Sequence, residues 1–144
     1  MSEGALRKCL RGMSPRRWYE CLNGKVFFWL SSERLSRLLS AQAYRDTTHC
    51  VLTVETAPLL RRHVSRITLS PINSGSTIYN PQPRGSRTFL PLHEYPFSRW
   101  AAKRGAKLAI AELAVQYAIP DILEFTLRAE RRRRDKVLNV LYQR

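Results

Sequence analysis

Apolar residues open the chain at helical spacing, Leu6 and Leu10, and Gly12 closes that segment. Ser14-Pro15 then reads as an N-cap followed by proline at the first helical position. Trp18 and Leu22 stand four apart on this short helix, and Asn23-Gly24 ends it. Val26-Phe27-Phe28-Trp29-Leu30 is β-branched and aromatic between Gly24 and Ser31, which predicts a buried strand. Ser31 or Ser32 caps a helix from Glu33 to about Ala41, with Leu35, Leu38 and Leu39 as its inward stripe. Cys50 to Glu55 is the clearest second strand. Thr56 to Leu60 turns into a short helix ending near His63, and Ile67-Thr68-Leu69 predicts a short third strand.

The pattern changes at Ser70. Ser70 to Arg87 is rich in Ser, Asn, Pro and Gly and predicts a long irregular segment with one strand at Thr77 to Tyr79. Loops this long inside a compact domain are usually functional or mobile. Thr88-Phe89-Leu90 predicts a short strand. Pro96 opens a helix with Phe97, Trp100 and Ala101 on one face, stopped at Gly105. Leu108 to Val115 is apolar except for Glu112, and Ile119-Pro120-Asp121 is a turn. Ile122 to Leu127 predicts a final strand with Leu123, Phe125 and Leu127 on one face, and residues 131–144 a basic C-terminal tail. No internal repeat or domain boundary is visible, so the expected fold is one α+β domain spanning residues 1–144.

Composition narrows the class. A chain of 144 residues that is 44% apolar can bury one core. The formal net charge of +14 should attract polyanions, nucleic acid first and anionic membrane second. A merely solvated basic surface has the same composition. No apolar run is long enough to span a bilayer, no basic amphipathic helix favours a membrane surface, and MSEGALRKCLRGM has no secretory apolar stretch. Three cysteines (Cys9, Cys21, Cys50) and three histidines are scattered. That argues against a disulfide framework or a metal site and for a reducing cytoplasm.

Glu112 is the position that most needs a reason, because a carboxylate inside LAIAELAVQYAIP must face water, pair with an arginine or line a polar cavity. On a strand, Ile110, Glu112, Ala114 and Gln116 share a face, and that face being wet is the plainer alternative. Asn73, Ser74 and Gly75 can offer short side chains and backbone N–H groups to a ligand, though an ordinary surface loop has the same composition. Arg45 can clamp a phosphate with its planar fork, or simply be a loop arginine. Trp29 and Tyr79 can stack on a planar ring or belong to a core. Arg131 to Arg134, with Arg7, Lys8, Arg11, Arg16 and Arg17, can track phosphates or be solvated. No dinucleotide fingerprint, P-loop, nucleophile elbow or zinc-protease motif is present.

The segments KVFFWLSSERLSRLL, AYRDTTHCVLTVETAPLL and ITLSPINSGST resemble a group of uncharacterised bacterial proteins known mainly as a domain of unknown function. The resemblance runs from about Met13 to Arg131, and its most specific pieces are VFFWLS, SPINSG and AELAVQYAIPDI. More distantly, the same order resembles the DarT-type ADP-ribosyltransferases and the RNA 2′-phosphotransferases, in which a late strand carries a glutamate ahead of an Ile-Pro turn. This second resemblance implies a split two-sheet core, with NAD as substrate in a cleft. Glu112 would be its catalytic carboxylate, and Arg45, Asn73, Ser74 and Gly75 would bind the dinucleotide. The acceptor would be a macromolecule, with nucleic acid suited to the basic charge. Such transferases carry a His or Arg on an N-terminal strand that grips the ribose. Nothing before Val26 reads as that strand, so the expected fold lacks it, and the chain would be truncated, wrongly started or inactive. The sheet edge left bare would favour a homo-oligomer. The alternative is a non-catalytic basic nucleic-acid-binding or interaction domain.

Overall fold

The computed structural model describes residues 1–144. The elements run α1 (Glu3–Cys9), β1 (Leu10–Arg11), α2 (Pro15–Asn23), β2 (Lys25–Trp29), α3 (Ser32–Ser40), β3 (His49–Val54) and α4 (Thr56–His63). They continue β4 (Ile67–Ser70), β5 (Arg84–Gly85), β6 (Leu90–Pro91), α5 (Phe97–Arg104), β7 (Glu112–Gln116), β8 (Thr126–Arg133) and β9 (Lys136–Gln143). The fold is α+β, as the pattern predicts, and the chain forms two compact units. One comprises Met1–Leu30 and Ser65–Ala118, the other Ser31–Val64 and Ile119–Arg144.

The first unit is built on an antiparallel sheet in the order β2-β7-β4-β6. Opposed residues share a face. Val26, Val115 and Ile67 form one row of the deep face, and Phe28, Leu113, Leu69 and Leu90 the next. The other face carries Trp29-Glu112-Ser70 and Phe27-Ala114-Thr68-Pro91. Strand β7 lies between two neighbours and its first four residues are buried, which is why it reads as a continuous apolar run. Strand β2 is an edge instead of the buried strand its composition suggests. Its residues are half-buried, and Phe27 is exposed.

Around this sheet the local signals hold. Ser14 Oγ accepts from Arg17 N at 3.3 Å and caps α2 at Pro15. Trp18 joins Leu6 and Cys9 in a buried cluster, with Phe89 stacked on its ring at 5.9 Å. Gly105 ends α5 at φ +84°, where a Cβ is disfavoured. No residue of α5 is buried, however, so the predicted inward face of Phe97, Trp100 and Ala101 is not a core face. The predicted strand at Thr77 to Tyr79 does not form. Tyr79 and Asn80 both have φ of +52°, and Tyr79 is fully in solvent. The predicted strand at Thr88 to Leu90 shrinks to β6. A short strand does precede Val26: β1 pairs in parallel with β5, Leu10 opposite Arg84 and Arg11 opposite Gly85. A Cβ on Gly85 would fall 1.9 Å from Arg11 O, so only glycine permits this approach.

In the second unit, Ser31 Oγ accepts from Arg34 N at 3.2 Å and caps α3, whose Leu39 is buried. The sheet is antiparallel, in the order β3-β8-β9. Residues 122–125 form a 3₁₀ turn instead of the start of a strand, and β8 follows from Thr126. The predicted row is therefore broken: Phe125 is 2% exposed and Leu123 73%. Residues 131–144 are not a tail. They complete β8, turn at Arg134-Asp135 and return as β9. Ser36 Oγ donates to Asp135 at 2.5 Å, tying the hairpin turn to α3.

Candidate functional site

Strand β7 starts at Glu112 because the chain is captured one residue earlier, where Ala111 N donates to Ser70 O at 2.8 Å. Glu112 then sits in one row between Trp29 of β2 and Ser70 of β4. Its residue exposure is 3%, so the carboxylate itself is shielded from water although Phe27 on the same face is exposed. A carboxylate so placed requires hydrogen bonds. Ser74 provides two of them: its backbone N donates to Oε1 at 3.0 Å and its Oγ donates to Oε2 at 2.8 Å.

The loop that delivers Ser74 is shaped from its first residue. Ser70 Oγ accepts from Ile72 N at 3.2 Å and donates to Ile72 O at 3.0 Å, which bends the chain as it leaves β4. Ser76 N donates to Asn73 O at 3.3 Å and closes a turn around Ser74. From the far side comes Arg84, itself buried. Its Nε donates to Gln82 O at 3.1 Å, and its Nη1 donates to Ser74 O at 3.0 Å and Ser76 O at 2.7 Å. Ser74 is therefore gripped from two directions, by a carboxylate on its N–H and hydroxyl and by a guanidinium on its carbonyl. Such charge-assisted bonds are about twice as strong as neutral ones.

Of the residues singled out in the sequence, Glu112 and Ser74 are in direct contact. Asn73 and Gly75 flank Ser74 but lie exposed. Arg45 belongs to the other unit, in the turn after α3, where its Nε is 3.5 Å from Asp46 Oδ2. Tyr79 is solvent-exposed, and Trp29 is half-buried beside Glu112. Arg84 completes the cluster without a signal in the sequence. Its only local mark is an arginine between Gln-Pro and Gly in a loop, which says nothing about burial. A cavity of about 440 Å³ opens elsewhere in this unit, lined by Gly12, Arg17, Cys21, Lys25, Ser86 and Tyr117 among others, and Glu112 and Ser74 do not reach it.

The second unit holds two other carboxylates of distinct character. Glu130 on β8 is nearly inaccessible and bonds Arg128 Nε at 2.6 Å and Arg132. The hydrogen bond from Arg128, with help from Arg132, outweighs burial and lowers its pKa below the ordinary glutamate value. Asp121 accepts from Arg62 at 3.2 Å and lies 3.0 Å from His63 Nε2, joining the turn before β8 to α4. Burial pushes its pKa up, but bonds from Arg62, its own backbone and His63 together pull it lower. Both clusters tie local elements together.

The first unit is thus an α+β module whose central strand begins with a buried carboxylate clasping a Ser- and Asn-rich loop. A family model described as a family of unknown function, DUF7002, matches residues 1–126, and the chain belongs to that family. No curated protein and no solved structure matches the chain.

Proposed function

We propose that this chain is an ADP-ribosyltransferase-like enzyme that takes NAD as substrate and modifies a macromolecule, with Glu112 as its catalytic carboxylate. The observation that supports this is the Glu112–Ser74 contact: a carboxylate shielded from bulk water at the head of the central strand, meeting the loop whose composition suits ligand binding. The resemblance to DarT-type transferases puts a catalytic glutamate at the same place, ahead of Ile119-Pro120. In the reaction, the bond from the nicotinamide nitrogen to the ribose C1′ breaks, and its electron pair leaves with neutral nicotinamide. A lone pair of the acceptor closes on C1′, and the acceptor's proton passes to the Glu112 carboxylate. A carboxylate in a water-poor site is well suited to that role. Ser74 must release at least one oxygen for it, while Asn73 and Gly75 are accessible to the dinucleotide.

The Glu112→Gln variant tests this reading. The amide keeps the shape and can still accept from Ser74 N, so the fold should survive. Transfer of label from NAD to macromolecules should fall by roughly 10²-fold or more. NAD should raise the melting temperature of both proteins. Full activity in Glu112→Gln, or no thermal shift at millimolar NAD, overturns the proposal.

A second reading, a non-catalytic nucleic-acid-binding domain, is favoured by the segment around α5. Residues 96–111 contain Arg99, Lys103, Arg104 and Lys107 and no acidic residue. Three of these cations lie near the Trp100 ring, at 5.8, 5.5 and 4.2 Å from its centre. Cations interleaved with an aromatic ring suit single strands. Binding to a single-stranded oligonucleotide should then weaken steeply with salt, and Trp100→Ala should weaken it further. Salt-insensitive binding removes this reading.

A further inference from the structure

The last strand of the second unit is unusually bare. Strand β9 pairs with β8 along one side and forms an edge of the three-stranded sheet. All eight of its residues are exposed. Five are large and apolar: Val137, Leu138, Val140, Leu141 and Tyr142, at 39–54% exposure. No backbone bond reaches residues 136–143 from anywhere but β8, so their outward N–H and C=O groups have no partner in the chain. Soluble proteins normally guard such an edge with proline, inward charges, bulges or a very short strand. The strand contains no proline and a single charge, Lys136 at its start. Its two register shifts against β8 are its one protective feature. The opposite edge, β3, is shorter and shows one exposed large apolar side chain, Leu52.

The surroundings specify the occupant. On β8, next to this edge, Arg131 and Arg133 are exposed, and Arg134 and Lys136 flank the turn. The acidic residues of the hairpin are already engaged: Glu130 by Arg128 and Arg132, and Asp135 by Ser36. A second copy of this chain would bring the same cations to the edge, under a net charge of +14 on each chain. An acidic segment would meet them with opposite charge. We infer that β9 is a docking edge for an extended peptide in which acidic and apolar residues alternate, bound by strand addition. Main-chain bonds give such a site its affinity, and alternate side chains its specificity. Apolar side chains of the peptide would lie along Val137 and Val140, which share the face of Arg132 and Glu130, and its carboxylates, on the other face, would reach Arg131, Arg133 and Lys136. This inference is independent of NAD chemistry in the other unit.

The test uses the full chain and a fluorescent ten-residue peptide of alternating Glu and Val, read by anisotropy. Saturable binding is expected, weakening as salt rises. The same peptide with alternate backbone nitrogens methylated keeps every charge and side chain but cannot add as a strand, and it should bind at least about tenfold more weakly, the loss of one or two net hydrogen bonds. Val137→Lys/Val140→Lys should lose the interaction while its circular dichroism melt stays unchanged, since both sites are exposed and the added charge would strengthen a merely electrostatic contact. Equal binding of the methylated peptide, or binding kept by the double variant, overturns the proposal. So does a stable dimer of the free chain, seen by light scattering and abolished by the same variant, because the edge would then belong to a second copy.

Discussion

Replacing Ser74 by alanine removes the Oγ bond to Glu112 Oε2, at 2.8 Å, and leaves the backbone bond to Oε1, at 3.0 Å. A hydrogen bond to a buried charge contributes about 1.5–3 kcal/mol, and here no water replaces the lost donor at a site 3% exposed. For a chain of 144 residues, 1 kcal/mol corresponds to roughly 3–5 °C, so the melting temperature should fall by about 5–15 °C. A calorimetric or circular dichroism melt at pH 7 measures this. The pair can be isolated with a double-mutant cycle through Glu112→Gln, in which an uncharged amide nitrogen faces Ser74 Oγ and can no longer accept its hydroxyl proton. The coupling between the two positions should be about 1 kcal/mol or more. A Ser74→Ala melt within about 2 °C of the parent, with no coupling in the cycle, would refute the reasoning. It would mean that the carboxylate does not depend on the serine hydroxyl for its place in the sheet.

Gly85→Ala should destabilise by about 3 kcal/mol or more, because the new Cβ would meet Arg11 O at 1.9 Å and the obstacle is backbone; a thermal melt reports it. Glu130 and Asp121 have folded-state pKa values below their ordinary values, so each contributes stability that is complete above the unfolded pKa and is lost as pH falls through the folded one. Urea melts taken downward from about pH 5 should therefore show falling stability of the second unit, and Glu130→Gln should flatten that acid limb while lowering stability at pH 7. At neutral pH its loss should be roughly 1–3 kcal/mol, less than for a fully buried pair, because Arg128 and Arg132 are 34% and 26% exposed. Gly105→Ala should cost about 1–3 kcal/mol for its backbone conformation alone, φ +84° with ψ 155°, since nothing stands within 4 Å of the added carbon; a thermal melt reports it.

Local chemistry was enough to place most of the elements. Ser14-Pro15 and Ser31 cap their helices as their side chains dictate, and Gly24 and Gly105 stop them. The runs at Lys25–Trp29, His49–Val54 and Ile67–Ser70 are strands because β-branched and aromatic residues there leave few alternatives. Glu112 was conspicuous for a reason that also holds in the fold: a charge amid apolar residues has to be answered. What answers it was not legible. The contact with Ser74 spans 38 positions, and a loop residue with many counterparts in the sequence acquires its meaning only when β4 and β7 are laid side by side. Arg84 is buried because three carbonyls converge on it, and no neighbour in the chain announces that. The same holds for the end of the chain. RAERRRRDKVLNVLYQR has the composition of a solvated tail, yet Glu130 finds its arginines two residues to either side on one face of a strand, and β3 gives that strand a partner. Caps, breaks and periodicities can be read from the chain alone, because they are settled by residues within a few positions of one another. Which strand is central, which carboxylate is clasped and which edge stays bare are decided by pairings between distant segments, whose free energy exists only once the chain has closed on itself.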